Sequence, residues 1–407
     1  MQVVLFEDER VDDLCPASLM QPAMALRTAG LNALQLVGRL GWPMHYVVRD
    51  YLQELTRLEL GDTALDEGPH LFVNARLVPR LSYVDRLREL GEQGRAAVWT
   101  AGDDVCAALV PQGVRLPEPL TPANCAQALM QSGPPDEQAH LQLLRYPHDL
   151  VRLHMEAFSE NLEALVRLET YGTPADGVYV NGAVSIAQSA VLDPANGPIV
   201  LEDGARIGEF AYVSGPAHVG RNSRLIDHAA IKDGVALAPV CKVGGEVECS
   251  SFMPYSNKQH HGFIGHAFIG SWVNMGAGTS NSDLKNTYGN VRVEHRGERI
   301  ETGMQFLGCV VGDYSKTAIN TSIFTGKIIG CASMIYGFVT RNVPSFCNWA
   351  RSLGEVTECP PEVAAAAQKR MFARRGVEQT DAHVRLLRRA FELTRAERLI
   401  SSEPPQL

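Results

Sequence analysis

The sequence lacks long apolar runs, an excess of basic residues and paired cysteines, and each absence excludes a class of protein. No apolar run in the 407 residues reaches the roughly 18 residues of a membrane helix. Lysine and arginine number 37 against 46 acidic residues, and a net charge of -9 argues against a nucleic-acid partner. Nine cysteines without a C-x-x-C pair indicate reduced thiols. The acidic residues that begin at Glu7 are unlike a signal peptide, so we predict a cytoplasmic protein with no membrane partner.

Apolar residues recur every six positions in the second half of the chain. They are Leu201, Ile207, Val213, Val219, Leu225, Ile231, Leu237 and Val243. Six residues turn an α-helix through about 600°, so these side chains would not share a helical face. A three-sided β-coil with six residues per side places all of them in its interior. The pattern resumes at Ile269 and Ile329, which predicts loops inserted into a continuing solenoid.

Glycines accompany this repeat, and we expect them to adopt turn conformations that residues with a Cβ resist. They are Gly204, Gly208, Gly215, Gly220 and Gly234. The six-residue pattern resembles the hexapeptide repeat of the left-handed parallel β-helix. The members of that fold family are mostly acyltransferases and typically trimers.

The first 145 residues have a different pattern. VVLFEDERVDDL, HLFVNARLV and AAVWTA are typical of short buried strands, and SYVDRLRELGEQ between them is typical of a helix. This alternation favours an α/β layer with a mostly parallel sheet. Further helices are predicted at VRLHMEAFSENLEALVRL, after Pro360-Pro361, and from Thr380 or Asp381 to about Leu399.

The predicted fold is therefore an α/β nucleotidyltransferase-like domain, a left-handed parallel β-helix and a C-terminal helical tail. We place the α/β domain at 1–145, a linker helix at 146–172, the β-helix at 173–345 and the tail at 346–407. Arginines of the tail could bind phosphate groups across a subunit interface, although a solvated face is the alternative. They are Arg370, Arg374, Arg375, Arg388 and Arg389.

The segment YSNKQHHGFIGHAFIGSWVNMGAG, residues 255–278, concentrates polar side chains where the hexad rhythm fails. Acyl transfer from a thioester to an amine needs a base for the ammonium proton and donors for the oxyanion. Histidine suits the base because its ordinary pKa of about 6.5 lies near neutral pH. The segment offers His260, His261 and His266 as candidates.

Three segments in this region, YSNKQHHGFIGH, VNMGAGTSNSDLKN and GDYSKTAINT, resemble a bacterial family. It contains the bifunctional N-acetylglucosamine-1-phosphate uridylyltransferases and glucosamine-1-phosphate N-acetyltransferases and the related sugar nucleotidyltransferases. The resemblance implies that His260 is the general base, that Asn274 is the active-site asparagine, and that Asn281 and Lys285 lie near acetyl-CoA and the sugar phosphate.

Two positions depart from the family's pattern. Phe263 stands where a tyrosine is common, and Glu248 aligns with a phosphate-binding lysine. The charge for the sugar phosphate could then come from Lys242, Lys258, Lys285 or Arg292.

The N-terminal segments LFEDER, MQPAMALRTAG and NARLVP resemble the nucleotidyltransferase domain of the same family. The glycine-rich loop that usually cradles a nucleoside triphosphate is absent from the first 60 residues. Arg10, Arg27 and Arg76 are the cations nearest these segments and are the candidate nucleotide ligands. Both an active domain and a degenerate structural one fit this pattern.

The resemblance implies an acetyl-CoA-dependent N-acetyltransferase that acts on an amino-sugar phosphate. It further implies sugar-1-phosphate nucleotidyl transfer with UTP and Mg²⁺ in the first domain, a role in nucleotide-sugar biosynthesis and a homotrimer. We predict no resident metal in the β-helix.

Two alternatives stay open. His261 and His266 are five residues apart, like zinc ligands in trimeric β-helical carbonic anhydrases, and His228, His260 or His295 would have to supply a third imidazole. The second alternative is a non-catalytic assembly protein that binds a sugar nucleotide.

Overall fold

The computed structural model describes residues 1–61, 64–136 and 139–401. The chain separates into two compact units, of which the first is Met1–Asp149 and the second begins at Leu150. The last residues of the predicted tail, 402–407, lie outside the described ranges, and the domain boundaries given above stay predictions. Within the described ranges, no helix combines the length and the hydropathy needed to cross a membrane.

In its described residues, the first unit contains one six-stranded sheet and four α-helices. Its strands are β1 Gln2–Phe6, β2 Met44–Val47, β3 His70–Asn74, β4 Ala97–Ala101, β5 Asp104–Val110 and β6 Pro135–Asp136. Its α-helices are α1 Ala33–Gly38, α2 Asp50–Leu60, α3 Tyr83–Glu92 and α4 Pro122–Ser132, and short 3-10 helices span Glu9–Leu14 and Ala23–Ala25.

The sheet order is β2-β1-β3-β5-β4-β6. Strand β1 pairs in parallel with both β2 and β3, whereas β5 runs antiparallel to β3 and β4, so the sheet is mixed. Strands β1, β3 and β5 are buried along their whole length, as their continuous apolar sequences predict. Because the connection from β1 to β2 and the connection from β2 to β3 run in opposite directions across the sheet, the carboxyl end of β1 is a topological switch point, where α/β sheets usually bind ligands.

The second unit is a solenoid of short strands. They are β7 Gly172–Ala175, β8 Val178–Val180, β9 Ser185–Ile186, β10 Val191–Asp193, β11 Ile199–Leu201, β12 Arg206–Ile207, β13 Tyr212–Ser214, β14 Ala217–Val219, β15 Arg224–Leu225, β16 Ala230–Lys232, β17 Val235–Leu237, β18 Lys242–Val243, β19 Glu246–Glu248, β20 Ser251–Phe252, β21 Asn257–Lys258, β22 Phe263–Gly265, β23 Phe268–Ile269, β24 Asn274–Met275, β25 Ser280–Asn281, β26 Arg292–His295, β27 Glu298–Glu301, β28 Cys309–Val311, β29 Lys316–Thr317, β30 Ser322–Ile323, β31 Lys327–Ile329, β32 Met334–Ile335, β33 Phe338–Val339, β34 Cys347–Ala350 and β35 Glu355–Glu358.

The strand register confirms the hexad repeat. Leu201 pairs with Val219, which pairs with Leu237, so residues three hexads apart stack on the same side of the coil. The three sides are a nine-stranded sheet from β7 to β31, a ten-stranded sheet from β9 to β35, and a third side made of β10-β13-β16-β19-β22 and β25-β30-β33. The aliphatic side chains form one buried core. The predicted fold class, an α/β domain followed by a left-handed parallel β-helix and C-terminal helices, is confirmed.

The coil continues through most of the segment in which the hexads lapse. Val243 pairs with Lys258, which fills an inward-facing position that elsewhere holds an aliphatic residue. The coil is interrupted only between β25 and β28, where residues 282–308 contain the antiparallel hairpin of β26 and β27. It then resumes, with Ile269 paired to Val311 and Val311 to Ile329.

The glycines of the repeat serve two purposes, and only one was predicted. Gly204 and Gly234 have φ angles of 74° and 82°, the left-handed region expected for turn glycines. Gly208, Gly215 and Gly220 do not have positive φ angles. The expectation was wrong for these three, because a Cβ there would collide with the backbone of the neighbouring coil.

Four helices complete the second unit: α5 Asp149–Leu168, α6 Pro361–Ala373, α7 Asp381–Leu393 and α8 Arg395–Ser401, with a 3-10 turn at Arg351–Leu353. Helix α5 packs on the solenoid, because His154 donates from Nε2 to the carbonyl of Gly234 over 2.9 Å and burial lowers the pKa of His154 to about 4. Phe158 is buried beside it, whereas Met155 on the same helix is 38% exposed.

Candidate functional site

The ten-stranded side carries the candidate asparagine in a row of polar residues. Asn274 pairs with Asn257 on the preceding coil and with Lys316 on the following one. Paired residues of parallel strands are about 4.8 Å apart, so their side chains project together. Asn274 is exposed, and burial lowers the pKa of Lys316 to about 8. An amine that is about half neutral near pH 8 thus lies one coil from the asparagine.

His260 lies at the corner between β21 and β22, where the coil turns from the ten-stranded side to the third side, and its side chain is exposed. The corner is held from inside by Lys258, whose Nζ donates to the carbonyls of Gly244 over 2.9 Å and His260 over 2.8 Å. Lys258 is 1% exposed, and burial lowers its pKa to about 8. Its predicted contact with substrate stays a prediction, while the geometry gives it a structural role.

Asn281 also serves the backbone. Its Oδ1 accepts from the N–H of Gly265 and its Nδ2 donates to the carbonyl of Gly265, both over 2.9 Å. With 4% of its surface exposed, the side chain is inside the coil. Its predicted contact with cofactor or substrate would require these two hydrogen bonds to break.

Lys285 and Arg292 lie in the insertion between β25 and β28. Lys285 is half-buried and donates from Nζ to the carbonyl of Asn290 over 2.8 Å. Arg292 is exposed on the hairpin and forms an ion pair with Glu301. Both side chains are accessible, so their predicted binding roles need no rearrangement of the core.

The histidines of the zinc alternative are not gathered around one point among the described residues. His266 bonds from Nδ1 to Asp283 over 2.9 Å and stacks on Phe306, and the group that could hold a metal consists of Glu248, Cys249 and His266 without His261. Burial, together with nearby carboxylates, raises the pKa of the Cys249 thiol to about 12. This alternative is therefore not favoured.

In the first unit, Arg76 occupies the carboxyl ends of β1 and β3. It bonds to Asp8 through Nε over 2.9 Å and Nη2 over 2.7 Å, to Asp104 over 2.9 Å and to the carbonyl of Leu144 over 2.8 Å. The side chain is fully buried. Nucleotide binding by Arg76 stays a prediction that requires this network to open.

The other two arginines predicted in this unit are placed differently. Arg10 is half-exposed and reaches Asp104 over 3.1 Å, so it shares a carboxylate with Arg76. Arg27 is nearly buried and donates to Gln35 and to the carbonyl of Gly30. The structure thus brings Arg10 and Arg76 together at the switch point.

The carboxylates at this edge fit Mg²⁺ poorly. Asp8 and Asp104 pair with Arg76, and Glu7 forms a two-pronged contact with Arg49 over 3.0 and 3.1 Å. A metal ion would have to displace a guanidinium group, because each carboxylate is already neutralised. A cavity of about 1080 Å³ lies at the opposite end of β3, lined by His45, His70 and Arg115, but ligands of such sheets usually bind at the carboxyl edge.

Sequence reasoning missed Asp8, Asp104 and Lys316 as members of these sites. Asp8 lies in the acidic run after β1, but the sequence did not show that β5 pairs antiparallel with β3 and so brings Asp104 beside Arg76. Lys316 lies 42 residues after its partner Asn274 because of the insertion, so coil spacing alone could not find it.

Comparison with known proteins gives matches to both activities. Residues 3–169 match the family described as sugar nucleotidyl transferase. A bifunctional sugar-1-phosphate nucleotidylyltransferase/acetyltransferase of Sulfurisphaera tokodaii is 32% identical over 151 residues, which are 36% of this chain and 38% of the relative. The bifunctional protein GlmU of Alkalilimnicola ehrlichii is 29% identical over 172 residues, 41% of this chain and 34% of the relative.

A solved structure, the UDP-N-acetylglucosamine acyltransferase of Francisella novicida, covers 57% of this chain and 81% of its own, at 16% identity and a TM-score of 0.28. The chain spans between a third and two fifths of the length of the two curated relatives described above. Residues 3–169 thus match the sugar nucleotidyl transferase family, and parts of the chain are similar to the GlmU-like bifunctional nucleotidyltransferase and acetyltransferase proteins.

Proposed function

We propose that the solenoid catalyses transfer of an acetyl group from acetyl-CoA to the amine of an amino-sugar phosphate. The observation that carries this proposal is the exposed His260, held at a coil corner by the buried Lys258 and followed one coil later by the exposed Asn274. An exposed imidazole on a rigid backbone is what a general base for an ammonium group requires. The names of the bifunctional relatives support the same reaction.

In the proposed reaction His260 takes the proton of the acceptor's ammonium group. The neutral amine attacks the thioester carbonyl, the new C–N bond forms as the C–S bond breaks, and the second amine proton passes to the departing CoA thiolate. Asn274 orients the acceptor or the imidazole. Lys285 and Arg292 hold the phosphates of acceptor or donor, and Asn281 supports the coil beside them or, as predicted, contacts the ligand.

We propose that the first unit binds a sugar phosphate or nucleotide and transfers a nucleotidyl group, with UTP as the expected donor. The family match supports this activity, and Arg10 and Arg145, both half-exposed beside Asp104, are accessible cations at the switch point. Because the carboxylates there are occupied by arginines, a role for Mg²⁺ is left to experiment. Homotrimer assembly and a cytoplasmic location complete the proposal, and light scattering of the purified chain tests the trimer.

The acetyl transfer is tested by following release of the CoA thiol with glucosamine 1-phosphate as acceptor. We expect His260→Ala to lower kcat by about 100- to 10,000-fold, the usual contribution of a general base. The neighbouring exposed His261→Ala is the control and should keep its activity. Equal activity of wild type and His260→Ala contradicts the assignment, and no turnover in any variant while sugar nucleotides still bind favours the non-catalytic binding protein.

A further inference from the structure

Three cations are stacked on the ten-stranded side, towards the amino-terminal end of the solenoid. Arg206 pairs with Arg224, and Arg224 pairs with Lys242 on the next coil. These three residues are called the basic column. Their chain neighbours Ile207, Leu225 and Val243 are buried in the core, so the cations project outwards. The next residue along the row is Asn257, the register partner of the candidate Asn274.

A second element adds positive charge to this column. Helix α6 ends at Ala373, and Arg375 just beyond it donates from Nη2 to Oδ1 of Asn257 over 2.6 Å. Burial, Arg375, Arg224 and Arg374 together lower the pKa of Lys242. Burial and Arg374 likewise lower the pKa of Arg375. Lys242 is therefore repelled by Arg224, Arg374 and Arg375, and Arg375 by Arg374; with Arg206 they form a group of five cations.

Acidic side chains do not offset this repulsion. In the ranges that the structure describes, none of the five cations forms an ion pair, although the whole chain carries a net charge of -9. The column borders a groove of about 590 Å³ whose other polar side chains belong to Ser185 and Asn222. By contrast, Lys232 on the third side of the same coils is paired with Glu246. An uncompensated row of this kind is suited to an anionic ligand.

The spacing of the column favours more than one phosphate group. Paired strands are about 4.8 Å apart, so three cations extend over about 10 Å, which exceeds the span of a single phosphate. Guanidinium groups bind phosphate oxygens through two parallel hydrogen bonds. We propose that the groove at the basic column binds a diphosphate ester, with the rest of the ligand directed along the row towards Asn257 and Asn274.

A nucleotide sugar and CoA both contain a diphosphate ester, so the experiment has to distinguish them. It uses the full chain, in which the double variant Arg224→Gln/Lys242→Gln removes two charges of the column. The control, Arg167→Gln/Arg341→Gln, removes two exposed charges elsewhere in the solenoid unit. Any binding by the first unit is common to both variants and cancels in the comparison.

Titration calorimetry with inorganic pyrophosphate at low salt is the first measurement. We expect the double variant to bind pyrophosphate at least tenfold more weakly than the control, or to lose one site, while orthophosphate shows a smaller difference. Equal affinity and stoichiometry in the two variants overturn the proposal. The proposal is also overturned if light scattering shows a changed molar mass for the double variant while pyrophosphate binding is unchanged. The column would then form a contact between copies of the chain.

The second measurement repeats the titration with UDP-N-acetylglucosamine and with CoA. A selective loss for UDP-N-acetylglucosamine in the double variant assigns a nucleotide sugar to the groove, and a selective loss for CoA assigns the acyl donor. No loss with either compound overturns the diphosphate ester. These readouts need no turnover, so a failure of acetyl transfer leaves them interpretable.

Discussion

In the first unit the buried Arg76 and Arg49 are paired with carboxylates, whereas in the solenoid the cations of the basic column stack on one another. Arg76 forms ion pairs with Asp8 and Asp104, and Arg49 forms an ion pair with Glu7. Arg224 and Lys242 have no ion-pair partner among the described residues, and other cations lie beside Lys242. Paired buried charges set the conformation of a core, while unpaired charges on a rigid surface are available to a ligand. The comparison separates residues that hold the fold from residues that can serve a reaction.

The largest expected effect is in the first unit. Arg76→Met leaves Asp8 and Asp104 without their shared partner in a buried site, and we expect it to lower the free energy of unfolding by about 3 to 5 kcal/mol. Urea denaturation measures this change. Arg10→Met, which removes one of the two half-exposed arginine partners of Asp104, is the control and should cost less than about 1 kcal/mol. Equal losses of unfolding free energy in the two variants would show that burial of the ion pair does not determine its contribution to stability.

A second test compares two asparagines of the solenoid. Asn281→Ala leaves the N–H and the carbonyl of Gly265 without partners, and we expect a loss of about 2 to 4 kcal/mol in the free energy of unfolding. Asn274→Ala removes an exposed side chain and should leave stability within about 0.5 kcal/mol while lowering acetyl transfer. If Asn281→Ala has the same free energy of unfolding as wild type, Asn281 has no structural role, and the predicted contact with ligand is favoured.

The buried Lys258 is expected to make the free energy of unfolding depend on pH. Burial lowers the pKa of Lys258 from 10.5 to about 8. Between these values the folded chain binds fewer protons at this position than the unfolded chain, so the free energy of unfolding rises with pH. Relative to Lys258→Met, wild type should gain about 1 to 2 kcal/mol between pH 7.5 and pH 9.5. Urea denaturation of both proteins measures this, and a constant difference would mean that the ammonium group is not buried.

The smallest effect is expected at the hairpin. Arg292→Gln removes an exposed ion pair, so stability should change by less than about 1 kcal/mol. If Arg292 holds a phosphate, the KM for acetyl-CoA or for the acceptor rises while the melting temperature stays constant. Glu301→Gln breaks the same ion pair but keeps Arg292, and its KM should resemble that of wild type. A raised KM in both variants would assign the effect to the hairpin's structure.

Much of the solenoid followed from the sequence because its physics is local and repeats. Each inward aliphatic residue has the same environment, so the spacing of Leu201, Val219 and Leu237 predicted both the coil and its register. The inward position of Lys258 could not be predicted, because a lysine there interrupts the apolar pattern without interrupting the coil. The exposed His260 and Asn274 could be named from their motifs, but their accessibility could not.

The sequence by itself determined the α/β and solenoid architecture, since burial of a periodic apolar pattern has few solutions. Only the tertiary structure decided which charged residues have partners. Arg76 and Asp104 are 28 positions apart and meet through an antiparallel strand, and Arg375 reaches Asn257 from 118 positions away. Whether a cation is neutralised or available to a ligand depends on such contacts between residues far apart in the sequence. Coulomb attraction depends on the distance between two charges in space and not on their separation along the chain.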